Sequence, residues 1–239
     1  MAVAGKKLPD AAAATPAEES EFVEFLYRVT HDFSAPLRTV TEFSRLLQED
    51  YAGKLDDTGR MYTNLIIQAG DKMRAMIEGL LVLSRLNTEP AQPETLSLAE
   101  LAKEITATLP GKPMVKIGEL PTLTADRHQM KLLLGALLDN ATKYVAQGKK
   151  PEIALTSRTE GKNLVIDVTD KGIGIDPEYH ADVFQVFRRL HKDSTYPGLG
   201  LGLTVAKKIA GMYGGSIAVQ SDEGKGAIFS VTLPDRLRA

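Results

Sequence analysis

The chain has 239 residues, room for one large domain or two small ones, with no cysteine and a formal net charge of -2. Disulfides and thiolate metal sites are thereby excluded, and the charge lacks the basic excess that marks a nucleic-acid partner. With 43% hydrophobic and 25% charged residues the composition is that of an ordinary globular protein, and no apolar run suits a membrane span or a secretory signal. The absence of cysteine fits a cytoplasmic setting.

Residues 1–18, rich in Ala, Pro, Lys and Glu, read as a flexible leader. A long helix is predicted next, ending near Asp50. Phe22, Val29, Pro36 and Phe43 fall seven apart, and Phe25 or Leu26, Phe33, Val40 and Leu47 fill the second apolar position of the same heptads. YAGKLDDTG, residues 51–59, has the composition of a loop. A second long helix begins near Thr58. Tyr62, Ala69, Met76 and Leu83 keep its period, with Leu65 or Ile66, Met73, Leu80 and Leu86 between them. Two such helices make an antiparallel hairpin, here residues 19–88, with too little core of its own. Two copies would bury both seams in a four-helix bundle, so a homodimer is expected.

Two prolines in NTEPAQPETLS mark a linker, placed at 89–97, after which residues 98–239 turn to a mixed α/β texture. Leu98–Leu109 and Ala125–Ala146 are predicted helices, the second with an apolar face at Met130, Leu133, Leu134, Leu137 and Leu138. Pro151–Arg158 and Asn163–Thr169 read as strands about a turn at Glu160, Gly161 and Lys162. Pro177–Leu190 and Gly202–Tyr213 are predicted helices. Ser216–Ser221 and Ala227–Leu233 form a closing hairpin that turns through Gly224 and Gly226. The predicted fold class is α+β, a helical hairpin followed by an α/β sandwich.

Four segments can carry chemistry. In HDFSAPLR, residues 31–38, His31 lies two positions past Val29, off the seam and toward solvent. Asp32 beside it can hold the proton of one ring nitrogen and leave the other free to attack. Pro36 removes a backbone hydrogen bond one turn later, marking a bend in the bundle or a plain helix break. In DKGIGID, residues 170–176, Asp170 ends a strand and can accept from a ligand amine. Gly172 and Gly174 allow close ligand approach or positive φ, although an ordinary tight turn has the same pattern. In PGLGLGL, residues 197–203, Gly198, Gly200 and Gly202 lead into a helix N-terminus, which suits a phosphate chain. No Gly-Lys-Ser/Thr follows and no strand precedes, so neither a P-loop nor a dinucleotide fingerprint fits. In DNATKY, residues 139–144, Asn140, Lys143 and Tyr144 share one helix face. There they can offer an oxygen to Mg²⁺ and a charge to phosphate, or form a solvated polar face.

The order of these segments is more telling than any one of them. A His-Asp-x-x-x-Pro-Leu helix, Asn-Ala-x-Lys-Tyr, Asp-x-Gly-x-Gly, Phe-x-x-Phe and Gly-x-Gly-x-Gly, in that sequence, resembles the sensor histidine kinase family over residues ~20–235. FQVFRRLHKDSTYPGLGLGL is most similar to the phytochrome-type kinases with their short ATP lid. The resemblance implies a dimerisation and phosphoacceptor hairpin in which His31 is phosphorylated and Asp32 orients or deprotonates it. It implies a two-layer ATP-binding sandwich of the type shared with gyrase and heat-shock chaperones, with ATP and Mg²⁺ as its ligands. Asn140 would hold Mg²⁺, Lys143 would touch phosphates, and Tyr144 would lie near the sugar and base. Asp170 would bind the adenine amine in a loop shaped by Gly172 and Gly174. Phe184 and Phe187 would anchor the lid, Arg189 would reach the γ-phosphate, and Gly198, Gly200 and Gly202 would cradle the triphosphate. The phosphoryl group would pass to an aspartate on a response regulator receiver domain.

Two positions depart from the family pattern. Many relatives carry Asn or Glu four residues before the Mg²⁺-binding Asn, where this chain has Ala136, so one oxygen ligand or water-positioning group is missing. Many carry Thr or Asn before the proline, where Ala35 stands, which argues against phosphatase activity. Ala136 also keeps a rival reading open, a non-catalytic nucleotide-binding signalling scaffold. The lack of a general-base Glu at 136 counts against another, an ATP-hydrolysing machine of the gyrase or chaperone type.

Overall fold

The computed structural model describes residues 16–191, 196 and 198–239. Most of the expected leader, residues 1–15, lies outside them, as does Pro197 of the glycine-rich segment. The chain divides into two compact units, Met1–Glu89 and Pro90–Ala239.

The first unit is a hairpin of α1 (Pro16–Asp50) and α2 (Asp57–Thr88). Asp56 starts α2 by accepting from the Gly59 N–H at 2.7 Å, a side-chain N-cap. Helix α1 runs through Pro36 without a break in assignment. The stripe of α1 that meets α2 is not the apolar seam. It consists of Thr30, Ser34, Leu37, Thr41, Ser44 and Gln48, buried or half-buried at three- and four-residue spacing. Thr41 packs on Gly70, Gln48 donates to Thr63 Oγ1 at 2.8 Å, and Arg45 grips Asp71 at 3.0 Å. The Thr41 and Ser44 hydroxyls donate to carbonyls of their own helix, Leu37 at 2.9 Å and Val40 at 2.8 Å. Much of the apolar seam instead faces away from the partner helix, although Val29, Met76, Leu80 and Leu83 are half-buried and Leu86 is buried. Phe33 is 60% and Phe43 63% exposed, with Val40, Leu47, Tyr62, Leu65, Ile66 and Met73 also exposed.

The second unit is an α/β sandwich. Its main sheet has the order β2 (Met114–Ile117), β4 (Glu152–Glu160), β5 (Asn163–Asp170), β7 (Ala227–Pro234), β6 (Ser216–Ser221). Only the β2–β4 pairing is parallel. Register places Leu164, Ile166 and Val168 opposite Leu233, Val231 and Phe229, so one face of the central strands is continuously apolar. Helices α3 (Leu98–Thr108), α4 (Arg127–Lys143) and α5 (Gly202–Met212) cover that face. In α4 the buried residues Met130, Leu133, Leu134, Leu137, Leu138 and Ala141 recur at helical spacing, which fixes its opposite edge as the side open to a ligand. A second, two-stranded sheet pairs β1 (Pro93–Ser97) with β3 (Thr122–Asp126).

Three local expectations are corrected. Pro93–Ser97, read as linker, is strand β1. Strands β2 and β3 had no counterpart in the sequence reading. Pro177–Leu190 is not a helix but two short 3₁₀ turns, Pro177–Tyr179 and Asp182–Phe184. Asp176 caps the first turn by accepting from the Glu178 N–H, and the chain leaves the second at Gln185 in an extended conformation.

Candidate functional site

A cavity of about 320 Å³ opens between α4, the end of β5 and the start of α5. Strand β5 delivers Asp170 to its floor. Asp170 is buried, and its Oδ1 accepts from the N–H of Gly172 at 2.7 Å and of Ala227 at 3.3 Å. Burial raises its pKa, against the lowering effect of those two hydrogen bonds. The loop that follows is sewn down on both sides. The Ile173 N–H donates to Tyr144 O at the end of α4 (2.9 Å), the Gly224 N–H to Ile173 O (2.7 Å) and the Ile175 N–H to Ser221 Oγ (2.8 Å). At Gly172 a Cβ would strike Tyr144 O, and at Gly174, with φ +71°, it would strike Asp222 O. Close approach therefore requires both glycines.

Helix α4 supplies the opposite wall with Ala136, Asp139, Asn140, Lys143 and Tyr144. Asn140 is half-buried, and Lys143 Nζ donates to Asp139 Oδ2 at 2.6 Å. The third wall is the glycine-rich segment, with Gly198, Gly200 and Gly202 all lining the cavity. The Phe187 N–H donates to Gly200 O at 3.0 Å. Phe187 has φ +60°, rare for a bulky residue, and Gly200 has φ +71° with Arg188 O where a Cβ would be. Phe184 is buried edge-on to Phe229, centroids 6.4 Å apart, and its carbonyl accepts from Thr204 Oγ1.

Of the site residues expected in this unit, Asn140, Lys143, Tyr144, Asp170, Gly174, Arg189, Gly198, Gly200 and Gly202 line one cavity. Gly172 and Phe187 stand behind it and shape its walls. Arg189 Nη2 donates to Tyr196 O at 2.5 Å. His191 and Tyr196 went unnoticed in the sequence. They form a ring cluster with Tyr144, at centroid distances of 5.2 to 6.0 Å, and His191 also lines the cavity. In the hairpin unit His31 and Asp32 stand together on α1 with side chains 80% and 78% exposed, Nδ1 facing Oδ1 at 3.3 Å. Among the described residues no cluster of three or more His, Asp or Glu is arranged to hold a metal, and no helix is long and apolar enough to cross a membrane.

A helical hairpin that displays an exposed His–Asp pair, followed by a sandwich with a glycine-walled cavity, is the architecture of a two-domain phosphotransfer core. The His Kinase A (phospho-acceptor) domain family matches residues 23–89, and the histidine kinase-, DNA gyrase B-, and HSP90-like ATPase family matches residues 125–237. The chain belongs to the sensor histidine kinases, ATP-dependent protein-histidine kinases, and comprises their catalytic core. The methanogenesis regulatory histidine kinase FilI of Methanothrix harundinacea is 34% identical over 91% of this chain and 25% of its own length. The phytochrome-like protein Cph1 of Synechocystis is 28% identical over 90% of this chain and 29% of its own. The chain thus spans about a quarter to a third of these curated relatives. Full-length ShkA, solved in complex with AMPPNP, superposes with a TM-score of 0.65 at 25% identity, over 88% of this chain and 45% of that one.

Proposed function

We propose that the chain, as a cytoplasmic homodimer, phosphorylates its own His31 from Mg-ATP and passes the phosphoryl group to an aspartate of a response regulator receiver domain. The observation that carries the reading is the convergence of Asn140, Lys143 and Tyr144, Asp170 and Gly174, and Gly198, Gly200 and Gly202 on one cavity. The residues fit a nucleotide with its metal. The buried Asp170 offers an acceptor to an adenine amine, and Lys143 and the N-terminus of α5 offer positive charge to phosphates. Asn140 would supply one hard oxygen to Mg²⁺, which would offset charge on the phosphates.

Phosphoryl transfer asks mainly for alignment and charge neutralisation. With the Nδ1 proton held toward Asp32, His31 presents its Nε2 lone pair to solvent. Attack in line forms the N–P bond as the bond to the ADP oxygen breaks, and the Nδ1 proton leaves toward Asp32. Arg189 would trade its carbonyl partner for the γ-phosphate. The dimer rests on the exposed heptad residues, which a second hairpin would bury. On this reading residues 19–88 are the dimerisation and phosphoacceptor domain and 98–239 the ATP-binding domain. Incubation with γ-labelled ATP and Mg²⁺ should give an acid-labile, base-stable label on the parent and none on His31→Gln, with ATP affinity unchanged. A label that persists in the variant would refute the assignment.

A further inference from the structure

Among the described residues, few oxygens in the cavity can serve a divalent cation. Of the described side chains that line it, Asp139, Asn140, Tyr144 and Asp170 carry oxygen. Asp170 is buried, and its Oδ1 already takes two backbone N–H groups. Tyr144 brings only a neutral phenol. Position 136, one helical turn before Asn140 on the same face, is Ala and lies against Gly202, 3.4 Å from where that residue's Cβ would stand. Asp139 remains. It adjoins Asn140 on α4, lines the same cavity, and its side chain is 42% exposed, open to a hydrated ion.

We infer that Asp139 is the second protein oxygen for the divalent cation, in place of the group absent at position 136. The inference rests on the nucleotide reading of the cavity. Hard divalent cations favour carboxylate oxygens, and one carboxylate with one amide oxygen, completed by phosphates and water, suits Mg²⁺. The 2.6 Å ion pair with Lys143 holds the carboxylate on the cavity side. With Lys143 turned to phosphate, Asp139 would lose its counter-charge, which the cation would supply. The plainer role for Asp139 is to orient Lys143 alone, and the two roles differ in their dependence on metal.

The test uses the whole chain, a non-hydrolysable ATP analogue and Mn²⁺ followed by electron paramagnetic resonance. Calorimetry of the analogue in EDTA runs beside it. Asp139→Ala should weaken Mn²⁺ binding in the presence of analogue on the order of 10-fold, the usual loss when a ligand or its support is removed. Analogue affinity in EDTA should be unchanged or tighter, since a negative charge has gone. Adding Ala136→Asn to the variant should restore Mn²⁺ affinity. Parental Mn²⁺ affinity in Asp139→Ala, or an equal loss with and without metal, would overturn the inference and leave the nucleotide reading standing. A parent chain that fails to bind the analogue at all would defeat both.

Discussion

Asp170 offers a sharp separation of binding from folding. Its Oδ1 satisfies two buried N–H groups, those of Gly172 and Ala227, at 2.7 and 3.3 Å. Asn at this position keeps that acceptor and replaces only the other oxygen with an NH₂ group. A ligand amine would then meet a donor in place of a charged acceptor. Hydrogen bonds to charged groups contribute about 1.5–3 kcal/mol, so Asp170→Asn should weaken ATP binding roughly 10- to 150-fold. Asp170→Ala leaves both N–H groups without a partner, at roughly 1–3 kcal/mol each, and should lower the melting temperature as well. Acidity gives a further check. Burial raises the Asp170 pKa, so the folded state holds its proton more tightly than the unfolded chain does. The contribution of Asp170 to stability is therefore greatest below the unfolded carboxylate pKa and falls as pH rises through the folded value. Asn carries no such penalty, so Asp170→Asn should melt no lower than the parent at neutral pH, and any advantage should shrink in acid. Nucleotide titration and melting curves across pH measure both quantities. Unchanged affinity in the Asn variant, or identical melting of the Asn and Ala variants, would refute the reasoning.

Two more expectations follow from the packing. Val40 and Phe43 are 52% and 63% exposed on the heptad face, so Val40→Glu with Phe43→Glu should yield a helical monomer, read by light scattering and circular dichroism; a persistent dimer would place the interface elsewhere. At Gly174, with φ +71°, Ala incurs about 1–2 kcal/mol for the left-handed backbone and then meets Asp222 O. Gly174→Ala should lower both the melting temperature and the nucleotide affinity, and retention of both would show that the loop can yield.

The heptads were legible because Phe33, Val40 and Phe43 repeat at a fixed period, but the period does not say which helix they face. The stripe that joins α1 to α2 is Thr, Ser and Gln set against Gly70 and Thr63, and an apolar count passes over it. The strands β6 and β7 announced themselves by alternation between turn glycines, and β5 by a short apolar run after the turn at Gly161. By contrast β2 and β3, MVKI and TLTAD, are too short to show a period, and their partners lie elsewhere in the chain. In 177–190 the apolar residues imitate helical spacing, yet Phe184 is there to lodge beside Phe229 and Phe187 to turn the chain at positive φ. The glycine and Asn-x-x-Lys-Tyr segments could be read because each carries an unusual residue type at fixed spacing. His191, Tyr196 and Asp139 are ordinary residues whose importance arises only from which walls meet.

The connection between the two units is shorter than its prolines suggest. Helix α2 ends at Thr88 with the Glu89 N–H still bonded to Arg85 O, and the Gln92 N–H is already fixed to Asp126 Oδ2 at 2.8 Å. The free span is Glu89 to Ala91, and three residues reach at most about 10 Å. One residue inserted or removed there changes that reach by about 3.5 Å, a third of the whole.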